Sequence, residues 1–331
     1  MLKSRLCIAF FAFAVGCAPA QKPLTDYVNP MLGTATLWDS VDLGFKPTKR
    51  TWGAEVFPGS SLPNAMVQVS PVTKFHSGAG YQYEDSVIYG FTHTNKGHWN
   101  LCHIPLLPVT GTPTPGDYCS PFSHERESAA PGYYQVFLDR YGVDAQLSST
   151  LRCAFHKYTY PAGAAPAVLA DLQRSNEHVR AWDIRKEGDN VFAGWQQTGE
   201  KMYFYAVANR PVTGIEPVVE GDREVRIVRF GEGDGALELR IGFSFVSEKN
   251  ARENLEAEML GKSFAEVRSE ATATWNDLLG RIRVEGGTER EKGLFYSSLY
   301  RSFLWPALRS DVNGEFTDVD GKVINPGFRY Y

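Results

Sequence analysis

The sequence predicts a mainly β chain with an α C-terminal part, and three observations carry that prediction. Apolar and polar residues alternate with period 2 in several stretches between about residues 24 and 246. Turn signals rich in Gly, Asn and Asp separate those stretches. After Ser247 the apolar spacing changes to steps of three and four, the period of a helix.

Taken in order, the first segment reads as targeting rather than structure. Lys3 and Arg5 precede a short apolar run, Leu6 to Val15, too short to span a bilayer as a stable helix. Residues 1–20 therefore read as a signal peptide. Ala14-Val15-Gly16-Cys17 resembles a bacterial lipobox, which would leave Cys17 lipidated. Ala18-Pro19-Ala20 offers an ordinary signal-peptidase site instead. Gly-Cys directly after the apolar run favours the lipoprotein. The expectation is export to the periplasm or outer membrane of a bacterium, with membrane contact only through a lipid on Cys17.

Residues 21–247 have β texture. Tyr134, Val136 and Leu138 alternate with polar positions, and Leu237, Leu239, Ile241, Phe243 and Phe245 do so over a longer run. Met202–Ala208 and Val225–Phe230 read similarly. Pro131-Gly132, Gly188-Asp189-Asn190, Gly221-Asp222 and the Gly231–Gly235 stretch mark turns. Many strands joined by short polar turns predict a large antiparallel β-sandwich.

Residues 248–286 read as linker helices. Asn250 with Glu253 resembles a capping arrangement. Leu255, Met259, Phe264, Val267, Ala271, Trp275, Leu278 and Ile282 then follow helical spacing, with Gly261 as a break. Arg281–Glu285 reads as a short extended piece before Gly286-Gly287. Leu294, Phe295, Ser298, Leu299 and Phe303 mark a further helix that stops near Trp305-Pro306. These few helices cannot bury their apolar faces alone, so 287–331 reads as the beginning of a second domain.

Composition narrows the function. The chain has 331 residues, 43% hydrophobic and 22% charged, with a formal net charge of −4. No basic surface asks for nucleic acid. Aromatic residues make up 13%, which serves either a sheet core or sugar-stacking surfaces. Cys102, Cys119 and Cys153 are an odd number with no zinc spacing, so no full disulfide framework is expected.

The segment Trp52–Gly111 is unusual: aromatic, His, Asn and Gly residues crowd together without regular period. His93, His98, His103 and His124 are four of only 7 His. Counting alone admits zinc, but no pair has helical metal spacing. Hydrogen bonding to a substrate and ordinary loop packing remain the other readings. Glu84-Asp85 reads as a cleft acid pair or, more simply, a turn. Asp311-Val312-Asn313-Gly314 with Asp318 and Asp320 looks like a calcium loop but fails the EF-hand spacing, and two consecutive turns explain it better. There is no nucleophile elbow, Walker A or Rossmann glycine pattern. His156 and Asp171 have no serine in the context of a triad.

Several segments carry a family resemblance. They are VNPMLGT (Val28–Thr34), FPGSSLP (Phe57–Pro63), MVQVSP (Met66–Pro71), GYQYEDSVIYGFTHT (Gly80–Thr94), PLLPVTG (Pro105–Gly111), and Phe122-Ser123-His124-Glu125 with Pro131-Gly132-Tyr133-Tyr134. They resemble glycoside hydrolase family 92, the calcium-dependent exo-α-mannosidases. WNDLLGRIRVEGG (Trp275–Gly287) and LFYSSLYRSFLWPALRSDVNGEF (Leu294–Phe316) resemble that family's linker and the start of its (α/α)6 barrel. The resemblance implies a galactose-mutarotase-like sandwich, the linker, and an incomplete barrel over 287–331. It implies removal of terminal α-linked mannose, α-1,2-linked for preference, from glycans by inverting hydrolysis with bound Ca2+. An inverting pair of carboxyl groups stands about 6.5–9.5 Å apart. The Ser-x-Trp-Asp-Thr-type motif and the carboxylates beyond it are absent, so the resemblance implies no catalytic residue within this chain. It places Glu55, His93, His98, Trp99 and Asn100 on one wall of the sugar pocket. Asn95-Lys96-Gly97-His98-Trp99-Asn100 replaces the family's Leu-Ser-Gly-Thr-Gly run, and Asn64-Ala65 replaces Phe-Gly. Both departures bear on linkage preference. The alternatives are a non-catalytic carbohydrate-binding lipoprotein and a related sandwich-plus-barrel glucosidase or phosphorylase.

Overall fold

The computed structural model describes residues 22–37, 44–46, 53–54, 56–95 and 100–331. Cys17, Glu55, His98 and Trp99 lie outside them, as do the two signal-peptidase sites. In chain order the strands are β1 (Ser60–Ser61), β2 (Gln68–Val72), β3 (Val87–Ile88), β4 (Gly90–Thr92), β5 (Leu106–Val109), β6 (Ser120–Pro121), β7 (Glu127–Ala130), β8 (Tyr133–Leu138), β9 (Val143–Ser149), β10 (Cys153–Thr159), β11 (Ala167–Ala170), β12 (Ala181–Gly188), β13 (Val191–Gln197), β14 (Lys201–Ala208), β15 (Val212–Glu220), β16 (Arg223–Phe230) and β17 (Leu237–Ser244). Three helices follow: α1 (Glu248–Glu258), α2 (Phe264–Leu279) and α3 (Glu289–Ser302). A small hairpin, β18 (Phe316–Thr317) with β19 (Val323–Ile324), comes last.

Two large sheets face each other. One has the order β1-β2-β4-β5-β11-β16-β15 and the other β12-β13-β14-β17-β10-β9-β8-β7. Every strand pair is antiparallel. The predicted sandwich is present, and its alternation explains it. In β17, Leu237, Leu239, Ile241 and Phe243 all point into the core between the sheets, together with Tyr134, Val136, Tyr158 and Phe204 from neighbouring strands. Residues of opposite parity, Tyr133, Cys153 and Phe155, meet Leu255 and Met259 of α1 and Phe264 and Val267 of α2 on the outer face. The larger sheet is thus apolar on both faces because helices cover one of them. Gly242 permits this. A Cβ there would lie 2.1 Å from the Ala251 carbonyl and 2.8 Å from Leu255 Cβ, so α1 rests directly on the backbone of β17.

The helical part differs from the sequence reading in three details. The N-cap of α1 is Ser247, whose side chain accepts from Asn250 N. Asn250 is the third helical residue, and its own amide is spent on Asp311 and Glu315. Capping boxes at Ser263/Glu266 and Thr288/Glu291 start α2 and α3. Arg281–Glu285 forms no strand. Helices α2 and α3 close over the N-terminal segment in a separate cluster of Leu24, Val28, Phe57, Trp275, Tyr296 and Tyr300. Leu299 of α3 and Phe303 just after it pack against that cluster, and Leu304 is buried in it. Leu294 and Phe295 are exposed.

Asp311 ties this region to the sandwich. Its carboxylate accepts from Ser244 Oγ (2.6 Å), Asn250 Nδ2 (2.8 Å) and Asn254 Nδ2 (2.7 Å). Gly314 N bonds back to its carbonyl in a turn, which fits the turn reading of this segment. Cys102, Cys119 and Cys153 are free thiols.

Candidate functional site

Three of the resembling segments meet at one cleft, and one of them contacts α3. Asn29 N donates to Ser297 Oγ of α3 (2.9 Å), Tyr83 N to the Thr34 carbonyl (3.2 Å), and Ala54 N to the Gly33 carbonyl (2.9 Å). A cleft of about 450 Å³ opens here, lined by Asn29, Met31, Gly33, Tyr83, His124 and Glu127 among others. Three segments far apart in sequence, VNPMLGT, the Tyr-rich turn and F-S-H-E, form one wall.

Glu127 organises that wall. Its side chain is 1% exposed and accepts from Tyr81 (3.0 and 3.1 Å), Tyr134 (2.5 Å) and His124 Nδ1 (2.5 Å). Burial first, and then the Glu127 carboxylate, push both tyrosine hydroxyls well above their usual pKa, so they remain donors at any working pH. His124 Nε2 lies 2.6 Å from the Tyr83 carbonyl. Carboxylate and carbonyl are both acceptors, so the doubly protonated ring satisfies both contacts. The His124 and Tyr83 rings stack at 3.8 Å between centroids. A saturated, buried carboxylate cannot act as general acid or base. Here it fixes the orientation of His124, whose ring stacks on Tyr83, in a wall that also carries Met31, Leu32 and Ala35.

Gly33 sits in this wall at φ +88°, and a Cβ there would stand 2.9 Å from Ala54 Cβ and 3.2 Å from the Arg301 guanidinium. Gly33→Ala is expected to cost about 2 kcal/mol, the left-handed backbone penalty plus the contact with Ala54. Urea denaturation checks this, and a loss below about 0.5 kcal/mol would mean that the segment simply shifts.

The residues anticipated on a sugar wall are placed differently from one another. His93 is buried at the centre of the sandwich. Its Nδ1 donates to the Ile104 carbonyl (2.9 Å) and its Nε2 meets His156 Nε2 (2.9 Å). Asn100 is also buried, with its Nδ2 donating to the Ala79 carbonyl and its Oδ1 lacking a partner among the described residues. In this structure both side chains are buried. His103 is buried between Thr94 (3.0 Å) and Thr198 (2.9 Å). Glu84 accepts from Thr36 N and Oγ1, and Asp85 accepts from Thr73, the behaviour of a braced turn. His156 pairs with His93 rather than with Asp171, whose carboxylate accepts from Tyr118 and Arg223. Sequence reasoning missed Glu127 and Tyr81. The available signal was F-S-H-E-R-E running into a strand, but the partners of Glu127 lie up to 46 residues away.

Among the described residues no group of three or more His, Cys, Asp or Glu side chains could hold a metal ion, and the oxygens of Asp311 are already engaged. No helix among the described residues is long and apolar enough to cross a membrane.

Comparison with known proteins accounts for this layout. The matched family models place the chain among the glycoside hydrolases. The description "Glycosyl hydrolase family 92 N-terminal domain" matches residues 27–254 and "Glycosyl hydrolase family 92 catalytic domain" matches 250–331. The chain belongs to glycosyl hydrolase family 92. It is similar to a family GH92 α-mannosidase from Bacteroides thetaiotaomicron, at 26% identity and TM-score 0.83, over 94% of this chain and 45% of that one. The same enzyme in complex with mannoimidazole matches at TM-score 0.83. An inverting family GH92 mannosidase from that organism matches at 25% identity and TM-score 0.75, over 92% of this chain and 42% of that one. An uncharacterized secreted glycosidase of Arthroderma benhamiae is 25% identical over 87% of this chain and 42% of its own length. The chain spans less than half the length of these relatives.

Proposed function

We propose that this chain is the N-terminal part of an exported α-mannosidase that removes terminal α-linked mannose, α-1,2-linked for preference, from glycans. The observation that carries the reading is the superposition of 94% of the chain on an α-mannosidase that binds mannoimidazole. Hydrolysis proceeds with inversion and with Ca2+ in this reading. The acid, the base and the calcium ligands belong to the catalytic domain, of which residues 250–331 match only a part. In this reading the sandwich supplies a wall at Asn29, Gly33, Tyr83 and His124, and the sequence positions His98 and Trp99 are further candidate contacts. Export is supported by the secreted relative and by the signal-like residues 1–20, with Cys17 as the lipid site.

The test uses the protein carrying a complete catalytic domain. Aryl α-mannoside is expected to be cleaved and aryl α-glucoside not. Proton NMR should show β-mannose as the first-formed anomer, and EDTA dialysis should abolish activity until Ca2+ is restored. Cleavage of the glucoside instead, or dependence on phosphate, would overturn the reading. Binding of mannose oligosaccharides without any turnover would favour the carbohydrate-binding lipoprotein.

A further inference from the structure

A second pocket, of about 540 Å³, shares no lining residue with the cleft at Gly33 and Glu127. It is formed by His76, the 173–180 segment between β11 and β12 with the first two residues of β12, and the tip of the β15–β16 hairpin at Asp222 and Arg223.

Its floor is built rather than incidental. Asp171 is fully buried, and its Oδ2 accepts from Arg223 Nη2 and Tyr118 Oη, both at 2.6 Å, with Arg174 Nε at 3.6 Å. The Arg174 guanidinium also lies over the rings of Phe75, Tyr89 and Tyr118 at 5.3 to 5.8 Å. Two guanidinium groups are thereby held rigid, and each keeps N–H donors that no acceptor among the described residues takes. Trp182, with the Arg226 guanidinium 5.3 Å from its ring centre, also lines the pocket, and Glu177 and Asp222 add carboxylates.

The charge balance selects the ligand class. Arg174, Arg180 and Arg223 in the lining are matched by Glu177 and Asp222 there and by the buried Asp171 beneath, which pairs with Arg174 and Arg223. A site for phosphate, sulfate or a uronate would carry a cationic surplus. Fixed N–H donors beside carboxylates and an indole face suit neutral vicinal hydroxyls on a pyranose, each of which accepts one hydrogen bond and donates another.

The pocket is hydrogen-bonded to the backbone at Asn100 and Leu101. His76 N donates to Asn176 Oδ1 (2.7 Å), Asn176 Nδ2 to the Asn100 carbonyl (2.5 Å), and Ser175 Oγ to the Leu101 carbonyl (2.6 Å). His76, Cys102 and Ile104, none of them glycine, are held at φ +58°, +56° and +53°. Such strain gathers at ligand clamps, where surrounding contacts over-determine the backbone.

We propose that this pocket binds a neutral pyranose unit of the glycan, separate from the mannose that is cleaved, and so anchors longer substrates on the sandwich. The choice of mannose as that unit rests on the function proposed above. The experiment is isothermal titration of the chain with α-1,2-linked mannotetraose, repeated with Trp182→Ala, whose fold is checked by urea denaturation because Trp182 packs against the sandwich core, and with Asp222→Asn at the exposed hairpin tip. Saturable binding that weakens about tenfold in each variant is expected, the loss of one stacking face or one charged acceptor. Binding that both variants leave unchanged, or no saturation at about ten millimolar, would overturn the proposal. Maltotetraose bound in preference, with the same dependence on Trp182, would support the pocket and overturn the mannose reading.

Discussion

Replacing Trp275 with alanine is expected to cost about 3–5 kcal/mol and to release α2 and α3 from the sandwich. The indole is fully buried in the cluster that joins the helices to the N-terminal segment and Phe57. Its ring lies 4.4 Å from that of Tyr300, and its Nε1–H donates to the Ser61 carbonyl (2.7 Å). Alanine removes the largest side chain of the cluster and also orphans a carbonyl at the edge strand β1. Two losses of different origin therefore add, and Trp275→Phe separates them. Phenylalanine retains much of the volume but cannot donate, so it should cost about 1–3 kcal/mol. Urea denaturation gives the totals. Hydrogen exchange should show amides of α2 and α3 opening before those of β10 and β17, because the sandwich core does not include Trp275. A change below about 1 kcal/mol for the alanine variant would mean that the junction holds without its central side chain.

This junction also shows what the sequence could convey. Trp275 follows Val267 and Ala271 at steps of four, and that period alone put it on the buried stripe of a helix. The strands were legible for the same kind of reason. Leu237 to Phe243 alternate because one side of β17 faces the core. The cap of α1 was misplaced by three residues because Ser and Asn both cap well. What decided between them was Asp311, some sixty residues on, which claims the Asn250 amide.

The candidate site was less legible, since its groups are defined by partners that no local pattern announces. Thr92-His93-Thr94 reads as a polar run at the end of a strand. Only the register of β10 beside β17, with His156 opposite Leu239, places a second imidazole against His93. The period-2 alternation of Ala154, His156 and Tyr158 was the available signal, because it puts all three on the core face. Glu127 is a stronger case. A carboxylate with 1% exposure is improbable from its sequence neighbours and becomes reasonable only once Tyr81, Tyr134 and His124 surround it.

Acid is expected to destabilise the sandwich from its centre. The hydrogen-bond chain through the two buried imidazoles permits one order of protons. The Ile104 carbonyl can only accept, so His93 carries its proton on Nδ1 and offers a lone pair at Nε2. His156 must then donate from Nε2 and accept at Nδ1 from the Tyr158 hydroxyl, 2.6 Å away. Both rings are neutral in the fold. Burial lowers the pKa of His93 from 6.5 to about 3. It also drives that of His156 well below 6.5, with the neighbouring His93 adding to the shift. Both shifts run downward, so protons bind the unfolded chain first. The stabilisation is whole above the unfolded value of 6.5 and declines as pH falls, until His93 itself protonates in the fold near 3. Each histidine gives a slope approaching 1.4 kcal/mol per pH unit, so the pair should lose about 3 kcal/mol between roughly pH 6.5 and pH 5. Most carboxylates titrate below that window and contribute little to it. Unfolding free energies from urea titrations across these pH values measure the slope, and His156→Gln should reduce it by about half. A stability that stays level across the window would show that at least one of the rings is charged or hydrated in the folded protein.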